Sequence, residues 1–223
     1  MDVMVFGDSV AYGAWDPEGG WVCKLRKFLD KEVNFKLNSN SFYYFVYNLG
    51  VSDDTSADLL SRFKHDAYSR TAKDEGQLVI FEIGKNDSMF VKSKGDFQVP
   101  PKRFERNVKE LIRQAQRLTQ KIAFVSLLPV DERKTCPYKD ASKEDMRRGI
   151  YYKNEHIEKY NSIIEKACRA AGVKFIDMYE KVSRTDYKQL LDVDGLHPNE
   201  KGHEAIFRMV KDELLKNKMI RLR

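Results

Sequence analysis

The chain has 223 residues, of which 42% are hydrophobic and 33% charged, with a formal net charge of +6. That balance fits a globular protein able to bury a sizeable core and excludes a disordered chain. No apolar run approaches the roughly 20 residues of a membrane-spanning helix, so no stable membrane insertion is expected.

Taken in chain order, Val3–Phe6 reads as a first strand, and Trp21, Leu25, Phe28 and Leu29 mark a helix behind it. A strand this early leaves no space for a basic-plus-apolar leader, which points to a cytoplasmic protein. Tyr43–Leu49 predicts a second strand, and Ala57, Leu59, Leu60 and Phe63 a second helix. Leu78–Ile83 is the third strand; Phe104, Val108, Leu111, Ile112, Ala115 and Leu118 return at helical spacing. Ile122–Leu128 is the fourth strand, and the charged stretch 131–149, with six basic and five acidic residues, reads as a loop or lid after it. A helix through Ile157, Tyr160, Ile163, Ile164 and Ala167 stops at Gly172, a natural C-cap. Val173–Met178 is the fifth strand, and Glu200 to about Lys216 forms the last helix.

The strand runs are β-branched and aromatic without alternation, as strands buried on both faces of a parallel sheet require. Five alternations of strand and helix predict one α/β domain over residues 1–223. The expected architecture is a three-layer α/β/α sandwich, flavodoxin-like, with a five-stranded parallel sheet ordered 2-1-3-4-5. Residues 217–223 read as a basic tail. Half of the positive excess lies in 211–223, with five basic and two acidic residues. Charges elsewhere are interleaved and no nucleic-acid-binding motif accompanies them, so no nucleic-acid partner is expected. Cys23, Cys136 and Cys168 are widely spaced and lack a CxxC pattern, which suggests neither a disulfide framework nor a zinc site.

In open α/β sheets, reactive groups gather beyond the carboxyl ends of the strands. Gly7-Asp8-Ser9 follows the first strand, Gly50 the second, and Gly84-Lys85-Asn86-Asp87 the third. Asp194-Gly195-Leu196-His197-Pro198 follows the fifth. A serine hydroxyl needs an adjacent base to become a nucleophile. His197 is the natural base, and Asp194, three residues earlier, can accept a hydrogen bond from its other ring nitrogen and fix the tautomer. Asp192 is the nearest substitute for Asp194. His65, His156 and His203 fall in or at helices and read as surface or satisfied core residues.

These four segments, in this order, resemble the SGNH hydrolases, the GDSL-like lipases and acylhydrolases, and the resemblance runs from Val3 to about Phe207. It implies hydrolysis of a small-molecule carboxylic ester through an acyl-enzyme, with Ser9, His197 and Asp194 as catalytic triad and no metal or other cofactor. It further implies an oxyanion hole built from the backbone N–H of Ser9, the backbone N–H of Gly50 and the side-chain amide of Asn86. On the residues alone, Gly50 could instead end its strand and Asn86 could form a turn. Lys85 fills the variable position of GxND, where it reads as a solvated lysine or a contact for an anionic substrate group. Trp15, Tyr12 and Trp21 could line an acyl or sugar pocket, although the spacing of Trp21 suits the core better. The charged character of 131–149 favours short acyl groups, with Phe90, Val91, Phe97 and Val99 as the possible lining of a longer acyl site. A lysophospholipase, a thioesterase or a non-catalytic binding module are the alternatives.

Overall fold

The first apolar run becomes strand β1 (Asp2–Gly7), the second β2 (Phe45–Gly50) and the third β3 (Gln77–Glu82). The structure is a computed structural model and describes residues 1–36, 42–71, 75–139 and 142–222. A short antiparallel excursion follows, β4 (Phe90–Val91) and β5 (Asp96–Phe97), before β6 (Ile122–Val125), β7 (Ile150–Tyr151) and β8 (Lys174–Ile176). The main sheet is parallel in the order β2-β1-β3-β6-β8, the arrangement expected from sequence.

Alternation in the strands divides the core between two faces. Met4, Phe6, Val79, Phe81, Ile122 and Phe124 face one layer, while Val3, Val5, Leu78, Ile80, Ala123 and Val125 face the other. The first face is covered by α3 (Ser56–Tyr68), α4 (Pro101–Ala115) and α7 (Asn154–Ala171). The second is covered by α2 (Gly20–Glu32), the short α8 (Tyr179–Ser183) and α9 (Glu200–Lys216). Each of the longer helices turns the stripe read from its sequence toward the core, with Phe28, Ala57, Leu60, Ile163, Ala205 and Met209 at its half-buried margins and Leu118 just past the end of α4, and Trp21 is fully buried in the second face. Gly172 caps α7 in the left-handed conformation, at φ 66°. No helix among the described residues is long and apolar enough to cross a membrane.

Four expectations change. β2 is an edge strand paired only with β1, so Phe45 is half exposed and the strand starts two residues later than expected. The fourth strand ends at Val125, because Ser126 turns its hydroxyl to the N–H groups of Met178 and Tyr179, and the Leu127 N–H goes to Asn161. The stretch 131–149 is not a plain loop: it holds α5 (Glu132–Thr135) and α6 (Lys143–Arg148) and leads into β7, which pairs with β4. Residues 140 and 141 of that stretch, and residue 223 of the basic tail, lie outside the described residues. Nor is 217–222 an appendage, since Met219 and Ile220 are buried and Tyr44 exchanges hydrogen bonds with the backbone of Arg221.

Candidate active site

β1 ends at Gly7 and the chain turns at once into the short helix α1 (Ser9–Tyr12), with Asp8 as N-cap accepting from the Val10 N–H at 3.0 Å. This sets Ser9 at the carboxyl edge of the sheet. From the far end of the chain, the loop before α9 brings His197 to it, with Ser9 Oγ 2.9 Å from His197 Nε2. That loop is held on both sides. Asp192 N–H donates to the His197 carbonyl, and Asn199 both caps α9 and donates to the carbonyls of Gln189 and Leu191.

Asp194 completes the chain of contacts, with Oδ2 2.5 Å from His197 Nδ1. Its Oδ1 accepts from the N–H groups of Leu196 and His197. Burial opposes ionisation of this carboxyl, but the hydrogen bonds from the His197 ring and from the two N–H groups outweigh it and hold the group well below the usual carboxylate range. An ionised Asp194 keeps the proton on Nδ1 and leaves Nε2 free to accept from Ser9. Two further donors reach Oδ2: Trp15 Nε1 at 3.1 Å and the Tyr138 hydroxyl at 3.4 Å.

Asn86 stands on the third loop edge. Its Oδ1 accepts from the Tyr152 hydroxyl at 3.3 Å and its Nδ2 donates to the Asp54 carbonyl at 3.0 Å. An amide carries two hydrogens, so one remains for a substrate oxygen. Gly50 is placed differently from the expectation: its N–H donates to Asn48 Oδ1 at 3.0 Å. Its missing side chain serves packing, because a Cβ there would lie 2.2 Å from the Tyr12 nitrogen in the backbone of α1. The residue of this loop that borders the cavities on both sides of the Ser9–His197 contact is Asp53, whose φ of 67° puts it in the left-handed region uncommon for a side-chain-bearing residue. Its backbone N–H has no hydrogen-bond partner among the described residues, and the same holds for Ser9 N–H. The sequence reading missed Asp53; the signal nearest to it is the Thr55–Asp58 capping box that starts α3, which bounds the loop without singling out a residue in it.

Beneath the loops lies a layer of buried polar groups. Lys85 is 4% exposed and its Nζ donates to the Leu128 carbonyl at 2.8 Å, so it neither sits in water nor lines the cavities beside Ser9. Burial pushes Lys85 below the usual lysine range and pushes Asp8 and Glu82 above the usual carboxyl range; the lysine and the two carboxyls partly offset one another's shifts, while the charge of Asp8 raises Glu82 further. Asp87 accepts from the Ser56 N–H, and Ser56 Oγ in turn accepts from Asn107. Burial raises Asp87 to about 7. His203 is a satisfied core residue, its Nδ1 accepting from Trp21 N–H and its Nε2 donating to the Ala14 carbonyl.

Two cavities flank the Ser9–His197 contact. The inner one, about 310 Å³, is lined chiefly by polar groups, among them Asp53, Asn86, Gln98, Asp145, Arg148 and His197. The outer one, about 630 Å³, is open and bounded by Ser9, Tyr12, Trp15, Pro17, Asp53 and His197. α6 thus supplies one wall of the inner cavity, through Asp145 and Arg148. Phe90, Val91, Phe97 and Val99 line neither cavity; Val91 and Val99 are buried in the core, and Phe97 packs on His156 and Tyr160. Among the described residues no group of three or more His, Cys, Asp or Glu side chains could hold a metal ion.

Known proteins carry the same arrangement of elements. A lipase/acylhydrolase from Enterococcus faecalis superposes with a TM-score of 0.72 at 18% identity, over 96% of this chain and 94% of that one. Axe2, an acetylxylan esterase from Geobacillus stearothermophilus, gives 0.69 at 19% identity, over 96% and 93%. LAE5, an α/β hydrolase enzyme from the metagenome of Lake Arreo, gives 0.67 at 18%, over 95% and 93%. Among curated proteins, none matches the chain. The model of the GDSL-like lipase/acylhydrolases matches residues 3–210, nearly the whole sequence, and the chain therefore belongs to that family of serine hydrolases acting on ester bonds.

Proposed function

We propose that Ser9 is the nucleophile, His197 the general base and Asp194 the carboxylate that orients it. The observation carrying this reading is the unbroken chain from Ser9 Oγ through His197, at 2.9 and 2.5 Å, to a carboxylate held ionised. His197 Nε2 takes the hydroxyl proton as Oγ bonds to the ester carbonyl carbon. The tetrahedral oxyanion then collapses, the C–O bond to the alcohol breaks, and the alcohol leaves with the proton from Nε2. Water attacks the acyl-enzyme by the same proton path, releasing the acid and restoring Ser9.

The oxyanion is received by the N–H of Ser9, the free amide hydrogen of Asn86 and, in place of Gly50, the N–H of Asp53. Acetyl or similarly short acyl groups fit the site best. The inner cavity is lined chiefly by polar groups, and the outer one, though flanked by Tyr12, Trp15 and Pro17, is open to water, whereas a buried methylene contributes about 0.8 kcal/mol only where water is excluded. The inner cavity, rich in both donors and acceptors, suits a polyhydroxylated alcohol such as a sugar, the substrate type that the name of Axe2 states for that enzyme.

A fluorophosphonate probe should label Ser9, identified by peptide mass analysis. Ser9→Ala and His197→Ala should each lower kcat on p-nitrophenyl acetate by at least about 10⁴-fold with the fold retained. Near wild-type rates in either variant would overturn the assignment. Rates compared from acetyl to dodecanoyl esters, below their micellar concentrations, test the acyl preference. A monotonic rise of kcat/KM with chain length would favour a lysophospholipase or thioesterase instead.

A further inference from the structure

Trp15 combines three features that do not belong together in an ordinary surface residue. It is 58% exposed, its backbone lies in the left-handed region at φ 66°, and its indole N–H donates to Asp194 Oδ2 at 3.1 Å. A bulky residue in that region costs about 1–3 kcal/mol and persists only where its surroundings hold it. The surroundings here are the active-site elements themselves. The N–H groups of Gly13 and Ala14 both donate to the Ser9 carbonyl, and the Ala14 carbonyl accepts from the buried His203 of α9. The indole also stands edge-on to the His197 ring, at 5.8 Å between centroids and 90° between planes.

A closed circuit results: Ser9 carbonyl to Ala14, along the backbone to Trp15, from the indole to Asp194, then to His197 and back to Ser9 Oγ. We infer that Trp15 is a positioning residue for the Asp194–His197 pair, referring the carboxylate to the same turn that carries the nucleophile. This rests on the triad assignment proposed above. The indole N–H shares Oδ2 with His197 Nδ1 and so spreads the charge of the carboxylate. Without it, Oδ2 becomes a stronger acceptor for the Nδ1–H of His197, most of all when the ring carries a positive charge. Asp8 and His203 act on His197 and Lys85 acts on Asp194, while Asp16 and Asp53 border the outer cavity and Tyr138 meets Oδ2 from α5's side. All of these stay in place when only the indole N–H is removed.

The test is Trp15→Phe, which keeps an aromatic ring and deletes the donor, assayed on p-nitrophenyl acetate across pH beside the rate of fluorophosphonate labelling of Ser9. kcat should fall about 10-fold, the scale of one charge-assisted hydrogen bond, with KM changed less than about twofold. The acid limb of both profiles should move to higher pH. Near-ultraviolet circular dichroism, to which the buried Trp21 contributes, reports folding. If Trp15→Phe does not fold, Tyr138→Phe removes the other aromatic donor to the same oxygen, and its acid limb should move the same way by less. An unmoved acid limb, or an effect confined to KM as expected of a mere binding surface, would overturn the role of Trp15 while leaving the triad intact. Absence of Ser9 labelling in the wild-type protein would instead remove the triad assignment, and this inference with it.

Discussion

The oxyanion donors proposed at Asn86 and Asp53 are of two different kinds, and substitution separates them. Asn86→Ala removes the donating group itself and should lower kcat by about 10²- to 10³-fold, the loss typical of one oxyanion donor, with KM little changed. Asp53 is proposed to act through its backbone, in a left-handed conformation that glycine adopts without strain. Asp53→Gly should therefore keep kcat within about threefold and raise the melting temperature, by an amount matching about 1 kcal/mol. A large loss of kcat would move the function to the Asp53 carboxylate. The buried acids give a pH signature of their own. Burial holds Asp87 protonated up to about 7 in the folded chain, whereas an unfolded aspartate releases its proton near about 3.9. Its contribution to stability is thus fully present below about pH 4 and is lost as pH rises toward 7. Asp194, shifted the other way, contributes above the unfolded value and loses that contribution as pH falls. Asp87→Asn should flatten the decline between about pH 4 and 7, read from denaturant midpoints, and an unchanged slope would show that Asp87 is not its source.

α1 presses directly on β2 at Gly50, so the position of Ser9, the proposed nucleophile, depends on an edge strand outside the triad. A Cβ at Gly50 would meet the Tyr12 nitrogen at 2.2 Å and the Asp8 carbonyl oxygen at 2.8 Å, backbone atoms that cannot swing aside. Gly50→Ala should cost about 1–3 kcal/mol of stability through overpacking. It should also lower kcat by about 10²-fold, because a displacement near 1 Å at the reacting atoms has that effect. Normal kcat with lowered stability would show that α1 yields without moving Ser9. The same scale shows what could be read from sequence. Long helices were legible from their stripes and the glycine that stops α7, because each buries one continuous face. The stretch 131–149 was not: two-residue strands such as β4, β5 and β7 have no period, and α6 is too short for its charged residues to reveal a buried side. Its Asp145 and Arg148 become part of the site only because Arg148 is tied to Asp145 and to Gln98 at the end of β5.

Across the whole molecule, the two ends of the sheet have separate duties. The carboxyl ends carry Ser9, Asn86 and His197, while the amino ends are closed by the C-terminal segment, where Met219 and Ile220 pack beside Met1, Phe42 and Tyr44. Ile220→Ala should lower stability by about 2–4 kcal/mol, the usual cost of a buried isoleucine, and leave kcat/KM unchanged. A fall in kcat/KM would mean that the two ends are coupled. Sequence by itself determined the order of the parallel sheet, the two-faced core and the meeting of Ser9, Asp194 and His197. The two-faced core follows from apolar periodicity, the strand order from the doubly wound α/β pattern, and the meeting of the three side chains from the rule that strand ends share one edge together with the resemblance to the SGNH hydrolases. Only the tertiary structure decided which backbone N–H groups at that edge are left without a partner among the described residues, that Lys85 is buried, and that Trp15 reaches Asp194 across 179 residues of chain. Such contacts depend on a φ angle, a helix pressed on a strand or one hydrogen bond between distant loops, and none of these leaves a repeating pattern in the sequence.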